Sequence, residues 1–150
     1  MQHVPAQRFV GHRVARVEDP RLLSGRGRYV DDVTVPGMLH AHFVRSPFAH
    51  AHVRGIDVDA ARRHPGVVAV YTGAEMEALT NPFMGFLPLP DLYHPMYFAL
   101  ATDRVRVVGD PVALIVAESR YVAEDAAQLV VVDYEELAPI ATMEHALDAT

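Results

Sequence analysis

The sequence contains no cysteine and no lysine. Without cysteine these residues hold no disulfide, no thiolate zinc site, no ligated iron–sulfur cluster and no thiol nucleophile. Without lysine, all 13 basic side chains are arginine. Long apolar runs are missing too. The longest clear one, Val112 to Ala117, is six residues, whereas a helix needs about 20 to cross a bilayer. Met1 to Val10 carries His3, Pro5, Gln7 and Arg8 without an apolar stretch, so it does not read as a signal peptide. A soluble protein of the cytoplasm, with no membrane span, is the expectation.

A length of 150 residues suits one domain, and a chain of that size buries roughly 70% of its unfolded surface without staples. Apolar residues make up 51% and charged residues 21%, a globular balance. Arg8, Arg13, Arg16, Arg21, Arg26 and Arg28 crowd the first thirty positions, but Glu18, Asp19, Asp31 and Asp32 lie among them. The formal net charge is −6. A nucleic-acid footprint requires a basic excess that this chain lacks.

Residues 1–15 read as an arm and 16–150 as the folded domain. Asp19 is the expected cap of a short helical turn with Pro20 at its first position, ended by Gly25 and Gly27. Tyr29 to Val35 reads as extended, stopped by Pro36-Gly37. Met38 to Arg45 and Ala51 to Val58 read as strands that pair as a hairpin across Ser46–Ala49. Asp59 is placed as the cap of a helix over Ala60 to His64. Val67 to Tyr71 is a buried strand, and Thr72 or Gly73 opens a helix over Ala74 to Leu79. Val105 to Val108 and Val112 to Ala117 form a second strand pair about Gly109-Asp110-Pro111. Ser119 caps a helix from Arg120 to about Leu129, whose apolar stripe is Val122, Ala126 and Leu129. Val130 to Tyr134 is a strand and Met143 to Leu147 a last helical turn. The class is α+β; strands and helices do not alternate as βαβ, which argues against a doubly wound nucleotide fold.

Residues 80–99 stand apart. Asn81, Pro82, Gly85, Pro88, Pro90 and Pro95 forbid regular structure, yet Phe83, Met84, Phe86, Leu87, Leu89, Leu92, Tyr93, Met96, Tyr97 and Phe98 are apolar or aromatic. Long loops of this kind pack on something or carry function. Left uncovered, this one favours self-association.

Two histidine pairs, His40 with His42 and His50 with His52, would each share a strand face. In the expected hairpin all four could converge on zinc, copper or nickel, or stand as ordinary surface residues. The neighbouring carboxylates Glu18/Asp19, Asp31/Asp32 and Glu135/Glu136 face apart and make no acid–base dyad. Gly25-Arg26-Gly27 opens no helix and is not a dinucleotide fingerprint. No serine lies in a nucleophile elbow. These residues supply no self-sufficient active site: no catalytic, cofactor-binding or metal-ligating residue is assigned.

Several motifs in order carry a resemblance. The run from Arg16 to Asp32, with Glu18-Asp19-Pro20-Arg21-Leu22-Leu23-Ser24-Gly25 at its centre, is one. Pro36-Gly37-Met38-Leu39-His40, Val44-Arg45-Ser46-Pro47-Phe48-Ala49-His50-Ala51 and Pro65-Gly66-Val67 follow. Asp103-Arg104-Val105, Val108-Gly109-Asp110-Pro111-Val112-Ala113, Ala123-Glu124-Asp125-Ala126-Ala127 and Val132-Asp133-Tyr134-Glu135-Glu136-Leu137 complete the set. Together they resemble the N-terminal α/β-hammerhead domain of the molybdopterin-binding large subunit in the xanthine dehydrogenase and aldehyde oxidase family. Among its branches the pattern is most similar to the bacterial carbon monoxide dehydrogenase-like one.

The resemblance implies an α/β-hammerhead fold that precedes a catalytic region holding molybdopterin cytosine dinucleotide. Iron–sulfur clusters and FAD would sit on other subunits. The family hydroxylates an aldehyde or heterocyclic carbon with oxygen from water. The glycine-rich pterin contacts, the glutamine near the metal and the general-base glutamate do not occur in this sequence. The chain is therefore expected to be a component of a molybdenum-dependent oxidoreductase and not catalytic alone. In relatives the loop matching residues 80–98 approaches the funnel to the metal, which makes Phe83, Phe86 and Leu87 the candidates for lining a substrate passage. Gly25, Gly27, Pro36, Gly37, Gly66, Gly109 and Pro111 are expected to fix turns, and Arg16, Arg45 and His50 to make buried polar contacts. The expected partners are a molybdopterin-binding catalytic domain or subunit, an iron–sulfur subunit and an FAD subunit. The competing reading is a free-standing scaffold module without redox activity.

Overall fold

Pro20 lies in the first turn of α1 (Asp19–Leu23), where its missing N–H breaks no helical bond. The structure, a computed structural model, describes residues 10–11, 13–83 and 96–148. It divides into two compact units, Met1–Gly37 and Met38–Thr150.

In the first unit the residue capping α1 is Glu18, one position before the expected Asp19, and it makes no side-chain cap bond. Its carboxylate instead accepts from Arg21 Nη2 at 2.7 Å, one turn along. Gly25, at φ +69°, turns the chain out of the helix. The expected extended piece after Tyr29 is a 3-10 turn over Val30–Asp32. Asp32 closes it: its carboxylate accepts the Tyr29 N–H at 2.9 Å while its own N–H donates to the Tyr29 carbonyl at 3.1 Å. An aspartate three residues on can thus override an extended preference.

The second unit holds two antiparallel three-stranded sheets. One has the order β1 (His40–Arg45), β5 (Pro111–Ala117), β3 (Val67–Thr72); the other has β4 (Arg104–Val105), β2 (Ala51–Asp57), β6 (Val131–Glu136). Neither expected hairpin forms. β1 pairs with β5, His40 opposite Ala117 and Phe43 opposite Leu114, while β2 pairs with β6 and β4 in the other sheet. Ser46 explains the first failure. Its N–H donates to Asp110 O at 2.9 Å and its carbonyl accepts from Gly109 at 2.8 Å. Its hydroxyl also takes the Phe48 N–H at 3.0 Å, and Pro47 has no N–H for a ladder. The chain is therefore tied to the β5 end of its own sheet and then turned away. Asp110 explains the second. Its carboxylate accepts the Arg106 N–H at 2.7 Å and its N–H reaches Val107 O at 3.2 Å, so 106–110 is a turn. β4 is left with two residues.

The buried strand is β5, the central one, with Val112, Ala113, Ile115 and Ala117 fully covered. β3, expected to be buried, is an edge strand and exposes Val68. α2 (Asp59–Arg62) is capped at Val58, again one residue earlier than expected, and Asp57 Oδ1 accepts the Asp59 N–H at 2.9 Å. α4 (Arg120–Ala127) begins at Ser119 as expected, the hydroxyl accepting from Val122 N–H at 3.2 Å. Its buried residues are Ala123 and Ala126, and Val122 packs against the same core, so two residues of the expected stripe hold; the third, Leu129, lies past the helix and is 40% exposed. Two alanines let α4 lie close on β1 and β5. They join Val58, Ala61, Val70, Ile115 and Ala117 in one core cluster. A second cluster gathers Ala51, Val105 and Val112, and Val44 and Ile56 pack against both. The last helix, α5, spans Met143–Asp148.

α3 (Gly73–Leu79) starts at a reciprocal cap. Glu75 accepts from the Thr72 N–H at 2.8 Å, the Thr72 hydroxyl at 2.9 Å and the Arg62 guanidinium. The Thr72 backbone bond foremost, then its hydroxyl and Arg62, hold the Glu75 carboxyl below its ordinary range despite some desolvation. A lowered carboxylate pKa adds stability at neutral pH that is lost as pH falls through the folded-state value. Thr72→Ala should cost about 1 kcal/mol. Glu75→Gln should lower the melting temperature at pH 7 by more than at pH 3. Melts of the three proteins at both pH values check this; an equal loss at both would deny the carboxylate its role.

Candidate functional site

The loop singled out by composition is closed at its base. Phe83 and Tyr97 form an isolated antiparallel bridge, with Phe83 N–H to Tyr97 O at 2.9 Å and Tyr97 N–H to Phe83 O at 3.2 Å. Both exchanged bonds are backbone, so the rings are free of the clamp. Phe83, Met96 and Tyr97 are 59%, 60% and 48% exposed, an apolar cluster that neither core absorbs. Downstream the chain is anchored: Leu100 is buried and the Ala101 N–H donates to Pro111 O at 2.8 Å. A cleft of about 240 Å3 borders the clamp, with Tyr97 and Phe98 on its apolar side and Asp103 and Arg104 on its polar side. Phe83 thus stands at the mouth of the loop. Phe86 and Leu87, the other two candidates for the passage, lie outside the described residues.

The four histidines do not converge as a hairpin would bring them. His40 and His42 belong to β1, while His52 lies in β2 of the other sheet and His50 just precedes that strand. Among the described residues no group of three or more His, Asp or Glu could hold a metal ion. His50 Nδ1 lies 3.0 Å from Ala138 O and ties the start of β2 to the segment after β6. Arg16 and Arg45 were expected in buried contacts; both are exposed. Arg16 sits 3.6 Å from Asp19, and Arg45 donates to Gly109 O at 2.9 Å with its guanidinium over the Phe43 ring. Carboxylates are spent structurally: Glu18 on Arg21, Asp32 on its turn, Glu135 on Arg54. Tyr134 packs its ring 5.1 Å from Phe48, and burial pushes its hydroxyl pKa up, reinforced by Asp110. Among the described residues no helix is long and apolar enough to cross a membrane.

Comparison with known proteins decides the family. Residues 24–138 match the model for the aldehyde oxidase and xanthine dehydrogenase a/b hammerhead domain. The chain belongs to that family. It is 48% identical, over 85% of its length, to 16% of the nicotine 6-hydroxylase large subunit of Paenarthrobacter nicotinovorans. It is 45% identical, over 85% of its length, to 15% of the carbon monoxide dehydrogenase large chain of Afipia carboxidovorans. Its structure superposes on that of quinoline 2-oxidoreductase from Pseudomonas putida 86 with a TM-score of 0.85 and 44% identity, covering 91% of this chain and 17% of that one. The hammerhead chain therefore spans about one-sixth of the length of these relatives. Its fold is the hammerhead domain of the molybdenum hydroxylases, and the expected α+β class holds. The described hammerhead residues gather no group of side chains that would hold a molybdenum centre themselves.

Proposed function

We propose that this hammerhead domain is the non-catalytic part of a molybdenum hydroxylase large subunit, docked on a molybdopterin-binding catalytic domain or subunit. Residues 16–150 are the hammerhead domain and 1–15 an arm. The cofactor of the partner region is molybdopterin cytosine dinucleotide, and iron–sulfur and FAD subunits carry electrons away, all in the cytoplasm. The role of this chain is structural. At the mouth of its loop, Phe83, with Phe86 and Leu87, lines the passage by which substrate reaches the metal.

The observation that carries the reading is the family match over 24–138 together with the exposed Phe83 clamped at the loop base. A ring 59% exposed in the isolated domain gains burial only against a docked surface.

A native pull-down from source cells, with molybdenum quantified in what comes with the chain, tests the proposal. Molybdenum in fixed ratio with a larger polypeptide is expected. A clean chain with neither metal nor large partner would point to an independent scaffold module instead. In the assembled enzyme, Phe83→Ala should shift kcat/KM between substrates of different size. Unchanged constants across several substrates would remove Phe83 from the passage.

A further inference from the structure

A second cleft, of about 510 Å3, lies between the 106–108 turn and the segment that follows β6. Arg104, Arg106 and His50 line it together with Val107, Val108 and Ile140. The three apolar side chains are 58%, 66% and 61% exposed. Arg104 is held in β4 opposite His52. Its Nε is buried and donates to no acceptor among the described residues. Arg106 is little more committed: its guanidinium gives one bond, from Nη1 to Arg104 O at 3.2 Å. The ion pairs among the described residues use Arg16, Arg21, Arg54, Arg62 and Arg63, and neither of these two. The nearby carboxylates have other uses. Asp110 takes the Arg106 backbone N–H, and Asp103 accepts weakly from the Thr102 hydroxyl at 3.4 Å.

A guanidinium offers five donors in a plane that matches a carboxylate. Arg104 Nε is itself covered, so a carboxylate in the cleft would meet the two guanidiniums from the cleft side, where a charge-assisted bond is roughly twice as strong as a neutral one. A small hydrophilic anion would satisfy the arginines and leave Val107, Val108 and Ile140 wet. An acidic side chain flanked by apolar ones would satisfy both.

We propose that this cleft receives a glutamate or aspartate side chain, set between apolar residues, from the region that the relatives carry beyond their hammerhead part. The source of the segment rests on the function proposed above. Two observations favour it: the charge complementarity of two arginines that line this cleft and take part in none of the ion pairs named above, and the small share, 15–17%, of each relative that this chain covers.

The test titrates the 15N-labelled chain with two blocked tripeptides, acetyl-Leu-Glu-Leu-amide and its Gln counterpart. The Glu peptide should move the Arg104 Nε–H resonance and the Val107, Val108 and Ile140 amides together and saturably. The Gln peptide should bind about tenfold more weakly, as loss of a charge-assisted pair requires. Arg104→Lys, which keeps the charge but loses the planar fork, and the exposed Arg106→Gln should each weaken the Glu peptide by a similar factor. Equal binding of the two peptides, or unchanged binding in both variants, overturns the proposal. So does acetate alone producing the same shifts at the same concentration, which would make this a free-carboxylate site. In the pull-down, Arg106→Gln should lower recovery of the large partner; undiminished recovery overturns the assigned source. Absence of molybdenum with peptide binding intact would sink the proposed function and leave the carboxylate chemistry standing.

Discussion

Gly73→Ala is expected to destabilise the fold by about 3 kcal/mol, the upper end of the ordinary cost of overpacking. Gly73 is buried at the start of α3. A Cβ there would lie 2.0 Å from the Ala101 carbonyl oxygen, 2.7 Å from its carbon and 2.9 Å from Thr102 Cα. All three are backbone atoms, so no rotamer change relieves the clash. The facing segment before β4 cannot easily retreat either. Its Ala101 N–H is bonded to Pro111 at the head of the central strand, and Leu100 beside it is buried. Either α3 must leave residues 101–102, or that segment must give up its bond to Pro111. Urea unfolding should show a lower midpoint with an unchanged slope. Gly55→Ala is the control. Gly55 also lies among ordered elements, but a Cβ there meets nothing within 4 Å, and the change should stay within about 0.5 kcal/mol. If both variants unfold at the wild-type midpoint, Gly73 does not hold α3 against residues 101–102.

What the sequence made legible was local. Ser119, Thr72, Pro36-Gly37 and Pro65-Gly66 announce caps and turns because each acts within a few residues of itself. The strands and α-helices lie near their expected places, and two caps come one residue early: Glu18 makes no side-chain cap bond, and at Val58 the Asp57 carboxylate takes the Asp59 N–H. Partner choice was not legible. β1 and β2 are adjacent in sequence and alternate like a hairpin, but β1 pairs with β5, some seventy positions away. Only the bonds from Ser46 to Gly109 and Asp110 reveal why. The histidine convergence fell with the hairpin it was built on. The candidate site was half legible. An apolar, proline-rich loop advertises itself by composition, whereas its clamp partner Tyr97 is one aromatic among several. The Arg104–Arg106 cleft was missed because alternating arginine and valine reads as an ordinary edge strand. Its other wall, at Ile140, comes from the far end of a different sheet pairing. The family was legible because its ordered motifs sit largely at turns, where residue choice is most constrained.

Ile115→Ala should be the most damaging core truncation, at about 4 kcal/mol. Ile115 is fully buried in the middle of the central strand, between His42 and Val70 in the ladder. It packs in the cluster with Ala61, Ala123 and Ala126. Those neighbours are already the smallest side chains that carry a Cβ. They have no rotamers with which to fill the space an isoleucine leaves, and the cavity term falls near its maximum. Leu114, the preceding residue, points to the opposite face of the same strand. It lies between Phe43 and Tyr71, is only partly covered, and belongs to neither core cluster. Leu114→Ala should cost roughly a third as much, about 1.3 kcal/mol, in line with the area it buries. Thermal melts of the two variants side by side separate the possibilities. A β5 at an edge, or shifted in register by one residue, would reverse the order. A larger loss at Leu114 than at Ile115 would therefore put the helices on the wrong face of this sheet.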